Sequence, residues 1–123
     1  MTVSIFILII ISVALSALAQ ITLKYGVNSN YNALNGDLTK YQLLWELLTN
    51  KYIVTGLFMY GCGAIIWLFV LSKLDVSKAY PFVGLGFILT MVLGCFILDE
   101  TVNMTRIVGT MFVLLGVILV SKT

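Results

Sequence analysis

The sequence predicts an all-α integral membrane fold, with four transmembrane helices and a short interfacial helix between the first and second. Of its 123 residues, 61% are hydrophobic and only 10% are charged, whereas a soluble domain is about 45–50% apolar and about 25% charged. Four runs almost without charge each approach the ~20 residues that cross ~30 Å of hydrocarbon. Short polar connections separate the last three runs. We therefore expect lipid to be the solvent of this chain.

The four runs divide the whole chain, 1–123, into a single transmembrane domain. The spans are about Val3–Lys24, Tyr52–Ser72, Lys78–Leu98 and Met104–Ser121. The first span has no basic leading region and ends in Gln20 and Lys24, so we interpret it as a retained helix and not as a cleaved signal. The connections 73–78 and 99–106 are tight, which makes the last three spans adjacent and antiparallel.

The long connection between the first two spans, 25–51, has two parts. Residues 25–37 are rich in Asn and Gly and are predicted to be irregular. Residues 38–50 carry apolar side chains at helical spacing but are too polar to span a bilayer. This pattern predicts a short helix in the headgroup plane, anchored by Tyr41 and Trp45. The alternative is that this helix simply extends the second span.

Composition also excludes several classes of function. The chain has no histidine, the commonest metal ligand and the usual acid–base group at neutral pH. Cys62 and Cys95 lie inside hydrophobic runs and are interpreted as packing residues. The net charge of +2 gives no reason to expect nucleic-acid binding. Because no nucleophile–base or metal constellation appears, we expect neither an enzyme nor a bound cofactor or metal.

Four polar residues follow one another at steps of four along the first span: Ser12, Ser16, Gln20 and Lys24. On a helix they form a slowly drifting polar stripe, which we expect to face the bundle interior because lipid cannot satisfy it. Serine hydroxyls can bond to carbonyls of their own helix, but the Gln20 amide needs partners on other helices or a ligand. Lys24 either binds a ligand or extends to the interface.

The third span begins with the most bendable segment of the chain. Pro81 lacks an N–H, and Gly84 and Gly86 have no Cβ. We expect a hinge here, with Tyr80 near the mouth of the bundle, that alternates access between the two membrane faces. The alternative is an ordinary helix start with Pro81 in its first turn.

Acidic residues occur only outside the spans. Asp99 and Glu100 follow the third span and either cap the next helix or take part in ion coupling. No Asp or Glu lies within any span, whereas ion-coupled exchangers usually carry one near mid-membrane.

The fourth span carries Gly109 and Gly116 seven residues apart. Small residues on one helical face allow two backbones to approach closely in lipid. This pattern predicts a dimer seam, and the competing interpretation is packing of the fourth span within its own chain.

The basic residues do not set an orientation. Three lie on the side of the N-terminus and four on the other: Lys73, Lys78 and Lys122 against Lys24, Lys40, Lys51 and Arg106. Such a near-balance indicates either insertion in both orientations or an orientation set by a partner.

Three stretches taken in order resemble a known group of transporters. They are "ALAQITLKYG" (17–26), "WLFVLSKLDVSKAYP" (67–81) and "DETVNMTRIVGTMFVLLGVIL" (99–119). The chain resembles the four-helix proteins of the drug/metabolite transporter superfamily, the small multidrug resistance proteins and their EamA-like relatives. In particular it resembles the small subunits of the aminoarabinose–undecaprenyl-phosphate flippase. The resemblance covers all but 25–51 and implies a small multidrug resistance-like bundle.

The resemblance also implies site residues, and some of them depart from the drug exporters. Gln20 with Lys24, and Trp67 thirteen residues before Tyr80, match the flippase subunits. The membrane-embedded Glu with which drug exporters bind protons and cations is replaced here by Ser16, and a Trp of their third span is replaced by Val83. The resemblance therefore carries over the fold and the dimer, and it does not carry over the cation chemistry.

We interpret the chain as a multi-pass transporter of a prokaryotic inner membrane that works as a dimer and flips a polyprenyl-phosphate-linked sugar between leaflets. The resemblance leaves open whether the partner is a second copy or a paralogue. Ser16 and Gln20 would bond sugar hydroxyls, Lys24 would attract the phosphate, and Trp67 and Tyr80 would stack on or bound the sugar. One alternative is an exporter of a small solute or cationic drug. Another is a membrane subunit that scaffolds a glycosyltransferase without transporting anything.

Overall fold

The computed structural model describes residues 3–30, 36 and 38–122, and all regular structure within them is helical. The helices are α1 (Val3–Ser29), α2 (Lys40–Thr49), α3 (Lys51–Leu71), α4 (Val76–Ala79), a 3-10 turn (Tyr80–Val83), α5 (Gly84–Ile97) and α6 (Met104–Ser121). The prediction of an all-α fold is confirmed.

Three helical segments of the described chain are long and apolar enough to cross a membrane. They are Val3–Ser29, Lys51–Leu71 and the composite Val76–Ile97. The apolar stretch of α6, Met104–Val120, is shorter. Its 17 residues, at 1.5 Å each, rise only about 26 Å, which is less than the ~30 Å of hydrocarbon.

Helix α1 is longer than composition predicts and continues from Lys24 to Ser29. The extension is held by tertiary contacts with Asn50, which composition alone does not predict. The Asn50 side-chain amide donates to Gly26 O at 3.2 Å and to Ser29 Oγ at 2.9 Å. Of the stretch predicted to be irregular, 31–35 and 37 lie outside the described residues.

Helix α2 is a separate helix and not an extension of α3. A capping box starts it, with Gln42 N–H donating to Thr39 Oγ1 at 3.3 Å and Thr39 N–H donating to Gln42 Oε1 at 3.2 Å. It ends at Asn50, whose backbone is extended. The Asn50 side chain then caps α3 by accepting from the N–H groups of Tyr52 and Ile53.

The third membrane-crossing segment is broken near its start. Helix α4 begins within the stretch predicted as a connection, and the 3-10 turn that contains Pro81 separates it from α5. Proline supplies a fixed φ and no N–H, which suits such a short turn. Pro81 itself is buried.

The connection to α6 is a tight hairpin. Asp99 adopts a left-handed conformation with φ 53°, and the Glu100 N–H then donates back to Gly94 O at 3.1 Å. The side chain that caps α6 is that of Asn103, which accepts from Arg106 N–H at 2.8 Å. Neither Asp99 nor Glu100 is the N-cap of this helix.

Helices α1 and α3 form the main packed pair, antiparallel and in close contact along their length. Ile9, Val13, Val70 and Ala79 form a buried cluster where α1, α3 and α4 meet. Helix α6 packs lightly against α5 and the 3-10 turn, and most of its side chains are exposed.

Candidate functional site

A cavity of about 520 Å³ lies between α1, α3, the 3-10 turn and α5, within the range of ~300–1,000 Å³ typical of small-molecule sites. Its lining residues are Ser12, Val13, Ser16, Ala17, Gln20, Tyr60, Gly63, Ala64, Trp67, Tyr80, Val83, Gly86, Phe87 and Thr90. Three of the residues that line it are strongly exposed: Tyr60 (45%), Tyr80 (63%) and Phe87 (58%). The cavity is therefore open to the surface of the bundle.

Three of the four residues of the predicted polar stripe line the cavity. They are Ser12, Ser16 and Gln20, whereas Lys24 does not line it. Each step of four residues turns a helix by about 40° beyond a full turn, so Lys24 is rotated about 120° from Ser12 and lies about 18 Å further along the axis. Lys24 is exposed at the far end of the stripe.

Ser12 has a structural partner. It is 3% exposed, and its hydroxyl donates to Gly63 O on α3 at 2.8 Å. Ser12 therefore joins the two helices and has little left to offer a ligand. A Cβ at Gly63 would lie 3.4 Å from Ser16 Oγ, so the small residue keeps the cavity open beside that hydroxyl.

Most other polar side chains of the cavity have no partner. Within the described part of the chain, no side-chain hydrogen bond is formed by Ser16, Gln20, Tyr60, Trp67, Tyr80 or Thr90. Hydroxyl and amide groups donate as well as accept, and the indole N–H only donates. Together they can bind a ligand that carries several hydroxyl groups.

Aromatic side chains of α3 and the 3-10 turn form the wall opposite α1. Trp67 is partly buried against the core cluster, which fixes it in place, and Tyr80 reaches the cavity from the 3-10 turn. The structure thus brings together Ser16, Gln20, Trp67 and Tyr80, all of which the sequence singled out.

Among the lining residues that sequence reasoning missed are the aromatic Tyr60 and Phe87 and the polar Thr90, although the sequence carries a signal for them. On α3 the lining positions are 60, 63, 64 and 67, and beyond Tyr80 they are 83, 86, 87 and 90. Both sets follow the i, i+3, i+4, i+7 spacing of one helical face. Trp67 marked the correct face of α3, and counting back seven residues leads to Tyr60.

None of the described residues that line the cavity carries a formal charge. Among the described residues there is also no group of three His, Cys, Asp or Glu side chains that could hold a metal ion. The recognition that this cavity offers is therefore hydrogen bonding and aromatic contact.

The predicted hinge residues lie at the cavity's edge. Pro81 and Gly84 are buried, and Gly86 lines the cavity. A Cβ at Gly84 would lie 3.1 Å from Val117 Cγ2, so α6 packs closely against the end of the 3-10 turn.

The remaining predicted residues lie outside the cavity. Asp99 and Glu100 are exposed in the last hairpin, and the Glu100 carboxylate lies over Gly94, where a Cβ would be 2.8 Å from Oε2. A Cβ at Gly109 or Gly116 would meet nothing within 4 Å. The interpretation that these two glycines pack within their own chain therefore has no support from the described residues.

Comparison with known proteins gives a family and a set of relatives. The model of the EamA-like transporter family matches residues 2–122. The probable 4-amino-4-deoxy-L-arabinose-phosphoundecaprenol flippase subunit ArnF of Photorhabdus laumondii is 33% identical over 92% of this chain and 93% of its own length. Subunits ArnE of Proteus mirabilis and Pseudomonas syringae are each 34% identical, over 94% and 84% of this chain and 95% and 87% of their own. No solved structure gives a significant match. These findings confirm the resemblance drawn from the residues.

Proposed function

The chain belongs to the EamA-like transporter family and is a multi-pass membrane transporter, and from that premise we propose that it flips a polyprenyl-phosphate-linked sugar between the leaflets of the inner membrane. The sugar would be moved without chemical change. The observation that carries the proposal is the open, uncharged cavity, lined by unpartnered hydroxyl, amide and aromatic groups. The flippase subunits to which the chain is similar support the same substrate class.

A flippase of this size needs only a shallow polar path. The prenyl tail stays in lipid while the headgroup crosses, so the protein must satisfy the polar groups of the sugar and little else. In this proposal Ser16 and Gln20 bond the sugar hydroxyls, and Trp67 and Tyr80 stack on or bound the ring. Lys24, about 6 Å beyond Gln20 along α1, attracts the phosphate at the interface.

Alternating access is assigned to the start of the third crossing segment. The 3-10 turn supplies a break in the regular hydrogen bonding, and short 3-10 stretches often mark hinges. Bending at Pro81, Gly84 and Gly86 would move Tyr80 relative to α1, opening the cavity to one face or the other.

In this proposal residues 1–123 form one transmembrane domain. Helix α6 serves as the fourth span, although it is short, with Arg106 extending to the interface from its first turn. Helix α2 lies in the headgroup plane, supported by Tyr41 (86% exposed) and Trp45 (70% exposed). None of its residues is buried by the rest of the chain.

The working unit in this proposal is a dimer of two copies or of this chain with a paralogue. Gly109 and Gly116 form the seam, and the empty space around their Cα atoms supports this role because a second backbone can approach there. Asp99 and Glu100 are the candidates for ion coupling, since no acidic residue lies within the spans.

The test is leaflet exchange in liposomes. A fluorescent polyprenyl-phosphate sugar is reconstituted with wild type, Gln20→Ala or Lys24→Ala, with Thr22→Ala as matched control. Thr22 is on the same helix, but its hydroxyl donates to Leu18 O and does not line the cavity. We expect rapid exchange with wild type and Thr22→Ala and at least tenfold slower exchange with the other two.

The outcomes separate this function from its competitors. Exchange by folded wild-type dimer no faster than in empty liposomes contradicts a self-sufficient flippase. Equal loss in all three variants would indicate a general defect of α1 and not a headgroup path.

A further inference from the structure

The hairpin between α5 and α6 turns one acidic side chain back onto α5. Asp99 adopts a left-handed conformation with φ 53°, and the Glu100 N–H donates to Gly94 O at 3.1 Å. The Glu100 carboxylate then lies over the buried Gly94, where a Cβ would be only 2.8 Å from Oε2. The turn at Asp99 and the missing Cβ at Gly94 together place this carboxylate against α5.

That place is just beyond the end of the cavity. Gly94 follows Phe87 by seven residues and Thr90 by four, so it is within about 20–40° of both around the helix and one turn beyond Thr90. Phe87 and Thr90 line the cavity, whereas Gly94 and Glu100 do not. The carboxylate therefore continues the helical face of α5 that lines the cavity.

Helix α1 runs beside α5 in the same direction. The rings of Phe6 and Phe82 have centroids 6.1 Å apart, and further along both segments a Cβ at Gly86 would lie 3.6 Å from Val13 Cγ1. Because both contacts advance together along the chain, the contact of Val13 with Gly86 defines a common level from which depth can be counted on each helix.

Lys24 reaches the same end of the cavity from α1. Counted from the level of Val13 and Gly86, Lys24 is about 16 Å further along α1 and Gly94 about 12 Å further along α5. Lys24 is also rotated by only about 20° from Val13, since eleven residues complete three turns. Lys24 and the Glu100 carboxylate therefore lie at nearly the same depth, on the facing sides of two neighbouring helices.

Neither charge is neutralised by the protein. Within the described part of the chain, the side chains of Lys24 and Glu100 form no ion pair and no hydrogen bond, and both residues are exposed. Arg106, the basic residue nearest to Glu100 in sequence, donates instead to Thr101 O at 3.0 Å. One free cation and one free anion thus flank the end of a cavity whose described lining carries no formal charge.

We propose that Glu100 is a headgroup-binding residue that accepts a hydrogen bond from a protonated amine of the headgroup while Lys24 binds the phosphate. The inference rests on the proposed flippase function and adds to it a residue that determines specificity. It is distinct from ion coupling, because binding of an amine requires no ion gradient.

The chemistry of the two charges supports this assignment. A carboxylate only accepts hydrogen bonds, and those from an ammonium are charge-assisted and roughly twice as strong as neutral ones. Glu100 would repel a phosphate, so the pair orients the headgroup with its phosphate toward α1 and its amine toward α5. A sugar ring with a phosphate on one side and an amine on the other presents the same two charges to the protein.

Three fluorescent polyprenyl-phosphate probes test the inference in liposomes at pH 7 without an ion gradient. They carry arabinose, 4-amino-4-deoxyarabinose, and the N-acetylated form of the amino sugar, which keeps the nitrogen and removes the charge. The variant is Glu100→Gln, which is nearly isosteric and removes the charge alone. The matched control is Glu46→Gln, the same change at an exposed residue of α2 on the same membrane face.

The expected result is a loss confined to one probe. Glu100→Gln should slow exchange of the amino probe about tenfold, because a hydrogen bond between two charged groups is lost, and should leave the other two probes at the wild-type rate. Glu46→Gln should leave all three unchanged. Lys24→Ala should slow all three, because every probe carries the phosphate.

Each contrary outcome has its own meaning. An amino probe that exchanges as fast with Glu100→Gln as with wild type overturns the inference and leaves the flippase intact. Equal slowing of all three probes by Glu100→Gln assigns the residue to the fold of the hairpin, and an equal effect of Glu46→Gln assigns it to the charge of the membrane face; both overturn the inference. Exchange of none of the probes by wild type removes the proposed function, and the inference with it.

Discussion

Two glycines of α3 test whether the close approach of α1 and α3 stabilises the bundle. Gly56 is buried and Gly61 is exposed. A Cβ at position 56 would lie 2.8 Å from Leu23 Cγ and 3.2 Å from the backbone oxygen of Ala19, whereas one at position 61 would meet nothing within 4 Å. The two sites therefore differ in packing while sharing one helix.

The magnitude follows from comparing the two alanine variants. In both, replacing glycine within a helix reduces the backbone entropy of the unfolded chain, worth roughly 0.5–1 kcal/mol in favour of the folded state. Only Gly56→Ala also forces Leu23 aside and presses on the backbone of α1, at a cost of about 1–3 kcal/mol. The helix-propensity gain cancels in the comparison, so Gly56→Ala should be about 1–3 kcal/mol less stable than Gly61→Ala.

The assay is unfolding of the detergent-solubilised protein by SDS, followed by tryptophan fluorescence. Trp67 packs against the core cluster, so its emission should report separation of the helices. We expect the midpoint to fall for Gly56→Ala and to stay level or rise for Gly61→Ala. Equal midpoints for the two variants would refute the reasoning, because they would show that α1 can yield at Leu23 and Ala19 without cost.

Two further predictions concern the ends of the helices and the outer face of α6. Asn50→Ala removes the cap of α3 together with the bonds to Gly26 and Ser29, and should cost about 1–2 kcal/mol and speed amide exchange over residues 26–29. Asn50→Asp, which keeps the cap alone, should recover part of that loss. Gly109→Leu adds a side chain where the chain itself offers no contact, so it should leave the helical content of the monomer unchanged and shift the detergent-solubilised protein from dimer to monomer in light scattering. Retention of the dimer would exclude Gly109 from the seam.

Much of the architecture is readable from the sequence because lipid imposes simple rules. Runs of apolar residues identify the long helices, since a backbone in hydrocarbon must satisfy its own hydrogen bonds. The stripe of Ser12, Ser16 and Gln20 leads to the cavity because steps of four residues stay near one helical face. Lys24 departs from that face because the small rotation at each step accumulates.

The parts that were not readable depend on contacts between distant segments. Nothing local to Gly26 or Ser29 indicates that α1 continues through them, since the residue that holds them is Asn50, 24 and 21 positions away. In the same way, Tyr60 and Thr90 lie on the correct helical faces, but only the packing of α1 against α3 and α5 turns those faces toward a common cavity.

The cavity has one tightly joined wall and one looser wall, and this asymmetry limits how it can change shape. Between α1 and α3 the buried bond from Ser12 to Gly63 and the close contact at Gly56 join the two helices tightly. Between α1 and α5 a Cβ at Gly86 would lie 3.6 Å from Val13 Cγ1, an ordinary contact distance. If the cavity alternates between the two faces of the membrane, Ser16 and Gln20 must therefore stay fixed against α3. We then expect the moving residues to be those of the 3-10 turn and α5, which would carry Tyr80 and Thr90 relative to Ser16 and Gln20.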